Sequence, residues 1–128
     1  MKIINPYNGN LLRLDNNSLI DEFGAAVFPK INGVFRIVKQ DNYANNFGFQ
    51  WNKFQQTQID QEKNNSLTSK IRFFAETNWN ASSLKGLDLL EVGCGAGRFS
   101  QVVMSNTKAN LYSIDLSNAV EANYRNNK

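Results

Sequence analysis

Glu91, Gly93, Gly95 and Gly97 alternate along one short stretch, and a second acid, Asp115, follows about twenty residues after the loop. Glycines at this spacing let a chain turn sharply and let a ligand approach the backbone with no Cβ in the way. A helix that begins directly behind such a loop offers free N–H groups. A carboxylate at the end of the next strand can accept hydrogen bonds from both hydroxyls of a ribose. Together these residues describe a site for an adenosine-bearing ligand at the carboxyl end of a parallel sheet.

The spacing also discriminates among such ligands. A dinucleotide fingerprint, G-x-G-x-x-G counted from Gly93, puts its third small residue at Arg98, too large for the close helix–strand packing which that motif requires. A phosphate-binding Gly-Lys-Ser/Thr sequence is missing altogether. The remaining pattern, acid-x-G-x-G-x-G, suits a cofactor without a pyrophosphate. Cys94 lies inside the loop, but no basic residue beside it lowers its pKa, so it is not read as a nucleophile.

The elements that must position these residues follow from local texture. Leu87–Val92 reads as a strand, Arg98–Met104 as a helix with Phe99, Val102 and Val103 inward, and Ala109–Ile114 as a second strand ending at Asp115. Ser117 is a suitable N-cap for a helix starting at Asn118. This order predicts a βαβ unit with a right-handed crossover. Upstream, Asn32-Gly33 between two apolar runs predicts a two-residue hairpin turn, and residues 1–39 read as a small β module. Residues 40–84 form an aromatic linker and a helix. Tyr43, Phe47, Phe49, Trp51 and Phe54 suit core packing, with a lid as the alternative. Leu67, Ile71 and Phe74 predict a helix that packs its Ile71/Phe74 face inward. Residues 85–128 carry the partial ligand-binding domain.

Composition removes whole mechanisms. The chain has no histidine and one cysteine, which excludes a Ser-His-Asp triad, a His base, His-ligated zinc, an intrachain disulfide and a thiolate cluster. The apolar runs are far shorter than a membrane span, and residues 1–20 lack the apolar core of a signal peptide, so the expected compartment is the cytoplasm. The net charge is +3, but the basic residues are scattered from Lys2 to Lys128, which argues against nucleic acid as a partner. The 20 asparagines read as compositional bias.

LLEVGCGAGRFS resembles the first motif of class I S-adenosylmethionine-dependent methyltransferases, and SIDLSNAVEAN resembles their second strand, acid and following helix. The resemblance implies S-adenosyl-L-methionine as cofactor, with Gly93, Cys94, Gly95 and Gly97 along its methionine and ribose portion. Glu91 would order the loop or meet the amino group, Asp115 would take the ribose hydroxyls, and Leu116 would pack on the adenine. YANNFGFQWNKFQQTQID extends the likeness to a bacterial subgroup often associated with modifying cell-surface polysaccharides or small molecules, in which a zinc-ribbon-like module precedes the catalytic domain. Where the zinc-binding form has Cys-Pro-x-Cys, this chain has Asn5-Pro6-Tyr7-Asn8, so the module is expected to be metal-free.

The fold expected is therefore α/β: a small N-terminal β-hairpin module, a helix, and the first βαβ unit of a truncated Rossmann-like methyltransferase domain. Lys85–Lys128 has room for two strands, the helix between them and the start of a second helix, but not for the acceptor-binding loops of such an enzyme, so no catalytic residue is named. Two functions are compatible with this reading. The first is a methyltransferase portion carrying the cofactor half-site, inactive alone, whose full enzyme takes a small-molecule or glycan-type acceptor. The second is a non-catalytic module that binds a partner or self-associates through exposed sheet edges. A dinucleotide site is third.

Overall fold

The computed structural model describes residues 2–38, 44–57, 59–60 and 67–128. The chain separates into two compact units, 1–40 and 41–128.

The first unit is a five-stranded antiparallel meander: β1 (Ile3–Ile4), β2 (Leu11–Leu14), β3 (Ser18–Ile20), β4 (Ala26–Ile31) and β5 (Val34–Phe35), in that spatial order. Leu12, Leu19 and Phe28 form its core, with Ile3, Val27, Phe35 and Ile37 packed around them. The Asn32-Gly33 turn has φ of 51° and 86°, the paired positive angles of a type I′ hairpin. The second hairpin strand is shorter than the apolar run Val34–Val38. Arg36 donates its N–H to the Pro29 carbonyl at 2.9 Å, but proline has no N–H to return, and the ladder stops there. At the β1–β2 connection the Asn5 side chain accepts the Tyr7 N–H at 3.0 Å, and its backbone pairs with Gly9 and Asn10. These hydrogen bonds close the Asn5-Pro6-Tyr7-Asn8 segment.

The second unit runs α1 (Asn45–Lys53), α2 (Thr68–Thr77), β6 (Asp88–Val92), α3 (Arg98–Asn106), β7 (Asn110–Ile114) and α4 (Ala119–Asn126). Strands β6 and β7 pair in parallel, Asp88 opposite Asn110 through Val92 opposite Ile114, with α3 between them in sequence. The mixed α/β class and the strand–loop–helix–strand order are thus present. Val102 and Val103 are buried as α3's spacing predicts, and Ser100 is buried with them. The Ser117 hydroxyl accepts the Ala119 N–H at 3.1 Å, so it serves the start of α4, one residue later than the sequence suggests. Among the described residues no helix is long and apolar enough to cross a membrane.

The stretch expected as linker and single helix contains two helices, which pack on the βαβ unit: α1 against α4, and α2 against α3. The α2 face differs from the apolar pattern. Ile71 is 68% exposed and Leu67 also lies outside, whereas Ser69 is buried and Phe73 packs its ring near those of Phe74, Trp79 and Phe99. Polar partners explain the rotation. Asp60 accepts the N–H groups of Ser69 and Lys70, both at 3.0 Å, and the Ser69 hydroxyl accepts Arg98 Nε at 2.8 Å. Asp60 therefore caps α2 in place of Leu67, the residue at the N-cap position, whose side chain cannot. Of the aromatic stretch, Phe49 and Phe54 point to solvent and Trp51 turns inward; Tyr43 and the Phe47 side chain lie outside the described residues.

Candidate functional site

The loop after β6 is built from both strands and from α4. Gly93 and Cys94 donate N–H groups to the Ile114 carbonyl at 2.8 and 3.1 Å, which ties the start of the loop to the end of β7. The Asp115 carboxylate then fastens the middle: one oxygen accepts the Gly95 N–H at 2.8 Å, and the other accepts the Ser117 N–H at 2.8 Å and hydroxyl at 2.7 Å. A carboxylate has about four acceptor positions, so three bonds leave capacity for a ligand hydroxyl. Asp115, expected from its place after the second strand to meet a ligand, holds the loop.

The back of the loop rests on α4. Gly97, with φ of 91°, closes the turn into α3, and a Cβ there would lie 2.2 Å from Asn127 Nδ2 and 2.4 Å from Asn123 Oδ1. The Asn126 side chain donates to the Ala96 carbonyl at 2.8 Å, and that of Asn127 donates to the Gly97 carbonyl at 3.2 Å. Gly97 is buried against these amides and is not on the cavity wall. Its role is to bring the helix close, which no ligand contact is needed to explain.

In front of the loop lies a cleft of about 420 Å³. Of the predicted residues, Glu91, Gly93, Cys94, Gly95, Asp115 and Leu116 line it. Glu91 Oε2 also accepts hydroxyl hydrogens from Ser100 and, at 2.8 Å, from Ser113, while Asn123 donates to Ser100 Oγ at 2.7 Å. That network joins β6, α3, β7 and α4, so Glu91 orders the unit from within. Burial, with the nearby Glu91 and Asp115 charges, pushes the Cys94 thiol up to about 12 despite a hydrogen bond with Asn123, which keeps it protonated and poorly nucleophilic.

The remaining described wall comes from residues not expected there: Ala44, Trp51, Ile59, Ala96, Arg98, Phe99 and Ser117. Only the helical spacing of Ala44, Gly48 and Trp51 could have placed α1 here. Asn52, one residue on, makes the attachment: its amide donates to the carbonyls of Gly48 at 2.8 Å and Asn118 at 2.9 Å. Gly48 admits the approach, since a Cβ there would sit 2.9 Å from the Asn118 nitrogen. At least part of the asparagine excess is therefore structural. No protein-family model matches the chain, and no curated protein is significantly similar to it.

Proposed function

We propose that the second unit is the cofactor-binding part of a Rossmann-like, class I S-adenosylmethionine-dependent methyltransferase domain. The observation that supports this reading best is the placement of Asp115 beside the Gly93–Gly97 loop, both opening on one cleft. The residues present fit the group. Asp115 retains acceptor capacity for ribose, Leu116, Phe99 and Ile59 offer apolar surface, and among the described residues the wall carries no lysine. A cofactor without pyrophosphate needs no more positive charge than Arg98 supplies.

S-adenosylmethionine supplies a methyl group on a sulfonium, open to in-line displacement by a nucleophile. The chain's own residues bind and orient. Asp115 would hold the ribose while keeping the loop in shape, and Gly93 and Gly95 would let the cofactor lie close to the backbone. We assign no base, and we read the acceptor of the full enzyme as a small molecule or glycan. We read the compartment as the cytoplasm, where a lone thiol such as Cys94 stays reduced.

Calorimetric titration with S-adenosylhomocysteine tests this. Binding is expected, and Asp115→Ala should weaken it by about 10–150-fold, the worth of charge-assisted hydrogen bonds of roughly 1.5–3 kcal/mol. Thermal unfolding of the variant must be followed in parallel, because Asp115 also holds Gly95. No heat from folded protein, together with tight NAD binding, would replace this reading with a dinucleotide site.

A second reading has its own observation. The sheet face carrying Leu90 (63% exposed), Val92 (73%) and Ile114 (49%) is open, whereas parallel sheets are usually covered on both faces. We infer for this reading a non-catalytic module that self-associates there. A monomer in sedimentation across the micromolar range overturns it.

A further inference from the structure

The cleft has a wall that the glycine motif does not account for. Helix α1 crosses to α4 at Gly48 and is held there by Asn52. Beyond its end, the Asn126 amide donates to the Gln55 carbonyl at 2.9 Å as well as to Ala96 in the loop. One side chain thus joins the α1 segment to the glycine loop. The consequence is the position of Trp51. Its indole Nε1 and Cε2 stand 3.9 Å from where a Gly95 Cβ would be, so the ring faces the loop at Gly95 and lines the same cleft as Asp115 and Leu116.

An aromatic ring on a half-buried wall does two things for a ligand. It buries apolar surface, and its π-system attracts a desolvated cation within about 6 Å. The two other described aromatics of the stretch, Phe49 and Phe54, face solvent near Lys53, so among the described residues of the stretch Trp51 is the aromatic that turns inward. We propose that Trp51 is a ligand-contact residue that covers the portion of the cofactor lying on Gly95 and favours the positively charged sulfonium over the neutral thioether product. This rests on the methyltransferase reading above and adds to it a residue from outside the βαβ unit.

The test uses the full chain in two forms. Trp79, the other tryptophan, packs against Phe73 and is absent from the cleft wall, so Trp79→Phe leaves Trp51 as the sole indole. Its fluorescence should change saturably on titration with S-adenosylmethionine, at concentrations matching calorimetry. Trp51→Ala should weaken S-adenosylmethionine binding by about tenfold and S-adenosylhomocysteine binding by less, with Trp51→Phe recovering most of the loss. The proposal is overturned if both ligands bind, Asp115→Ala weakens them, and yet the fluorescence is flat and Trp51→Ala changes neither affinity by more than twofold. Equal losses for the two ligands overturn the charge preference. If neither ligand binds folded protein, the cofactor reading itself fails and takes this one with it.

Discussion

Gly93 and Gly97 make a controlled experiment within one loop. Both have positive φ, 74° and 91°, so alanine at either pays the left-handed backbone cost, about 1–2 kcal/mol. They differ in what a new methyl would meet. At Gly93 nothing lies within 4 Å, so the backbone cost is nearly the whole effect. At Gly97 the methyl would overlap Asn127 Nδ2, Asn123 Oδ1 and, at 2.7 Å, Asn123 Cγ. Asn127 can swing away, giving up its bonds to the Gly97 carbonyl and to Asn123 Oδ1, roughly 1 kcal/mol each. Asn123 is buried and bonded to Ser100; moving it leaves unsatisfied polar atoms inside, about 1–3 kcal/mol more. Gly97→Ala should therefore destabilise by about 4–7 kcal/mol against roughly 1–2 kcal/mol for Gly93→Ala, a difference readable in urea midpoints by circular dichroism. In an Asn127→Ala background the Gly97→Ala cost should shrink by 1 kcal/mol or more, approximately, as expected of contacting residues. Equal costs at the two glycines, or strict additivity with Asn127→Ala, would refute the close approach of α4 to the loop.

Two further outcomes follow from single groups. The hydrogen bonds from Ser69 and Lys70 and the Arg98 charge outweigh the upward pull of burial and hold the Asp60 carboxyl below its ordinary 3.8. A depressed pKa stabilises the fold above the unfolded value and loses that contribution as pH falls through the folded one. Asp60→Ala should thus cost about 1 kcal/mol near neutrality, typical of a helix cap, and the gap from wild type should close in urea titrations taken well below pH 3.8. Cys94, buried with its thiol pushed up to about 12, should resist a disulfide reagent at pH 8 and react only as fast as the protein opens; prompt reaction of the folded protein would contradict its placement.

What the sequence made legible was local. The Asn32-Gly33 hairpin, the β6–loop–α3–β7 order and Ser117 at the start of α4 each depend on residues within a few positions of one another, and periodicity and turn chemistry read such distances well. The α2 face went the other way because its determinants are remote. Asp60 caps the helix from nine residues upstream, and Arg98 reaches Ser69 across 29 residues. A buried serine with such partners is invisible to a pattern that counts only apolar side chains, so Leu67 and Ile71 claimed a face they do not have. The cleft was legible on the βαβ side alone. Its α1 wall depends on the fit of Gly48 to Asn118, a contact spanning 70 residues that no spacing rule anticipates.

The asparagines show how that wall is held largely by neutral groups, with Arg125 donating to Asn52 and Gln55 beside them. An amide both donates and accepts, so it can satisfy backbone carbonyls that a loop leaves exposed and still bind a neighbouring side chain. Asn127 does this for the Gly97 carbonyl and Asn123, and Asn52 for the Gly48 and Asn118 carbonyls while accepting from Arg125, whereas Asn126 spans two carbonyls, those of Ala96 and Gln55. Ion pairs in the same places would add charges to a cleft that already holds Glu91, Asp115 and Arg98, and would respond to salt. Neutral amides fix the geometry and leave those three groups to set the electrostatics. A compositional excess that says nothing about chemistry when counted thus becomes, at three positions around one cleft, the means by which the cleft keeps its shape.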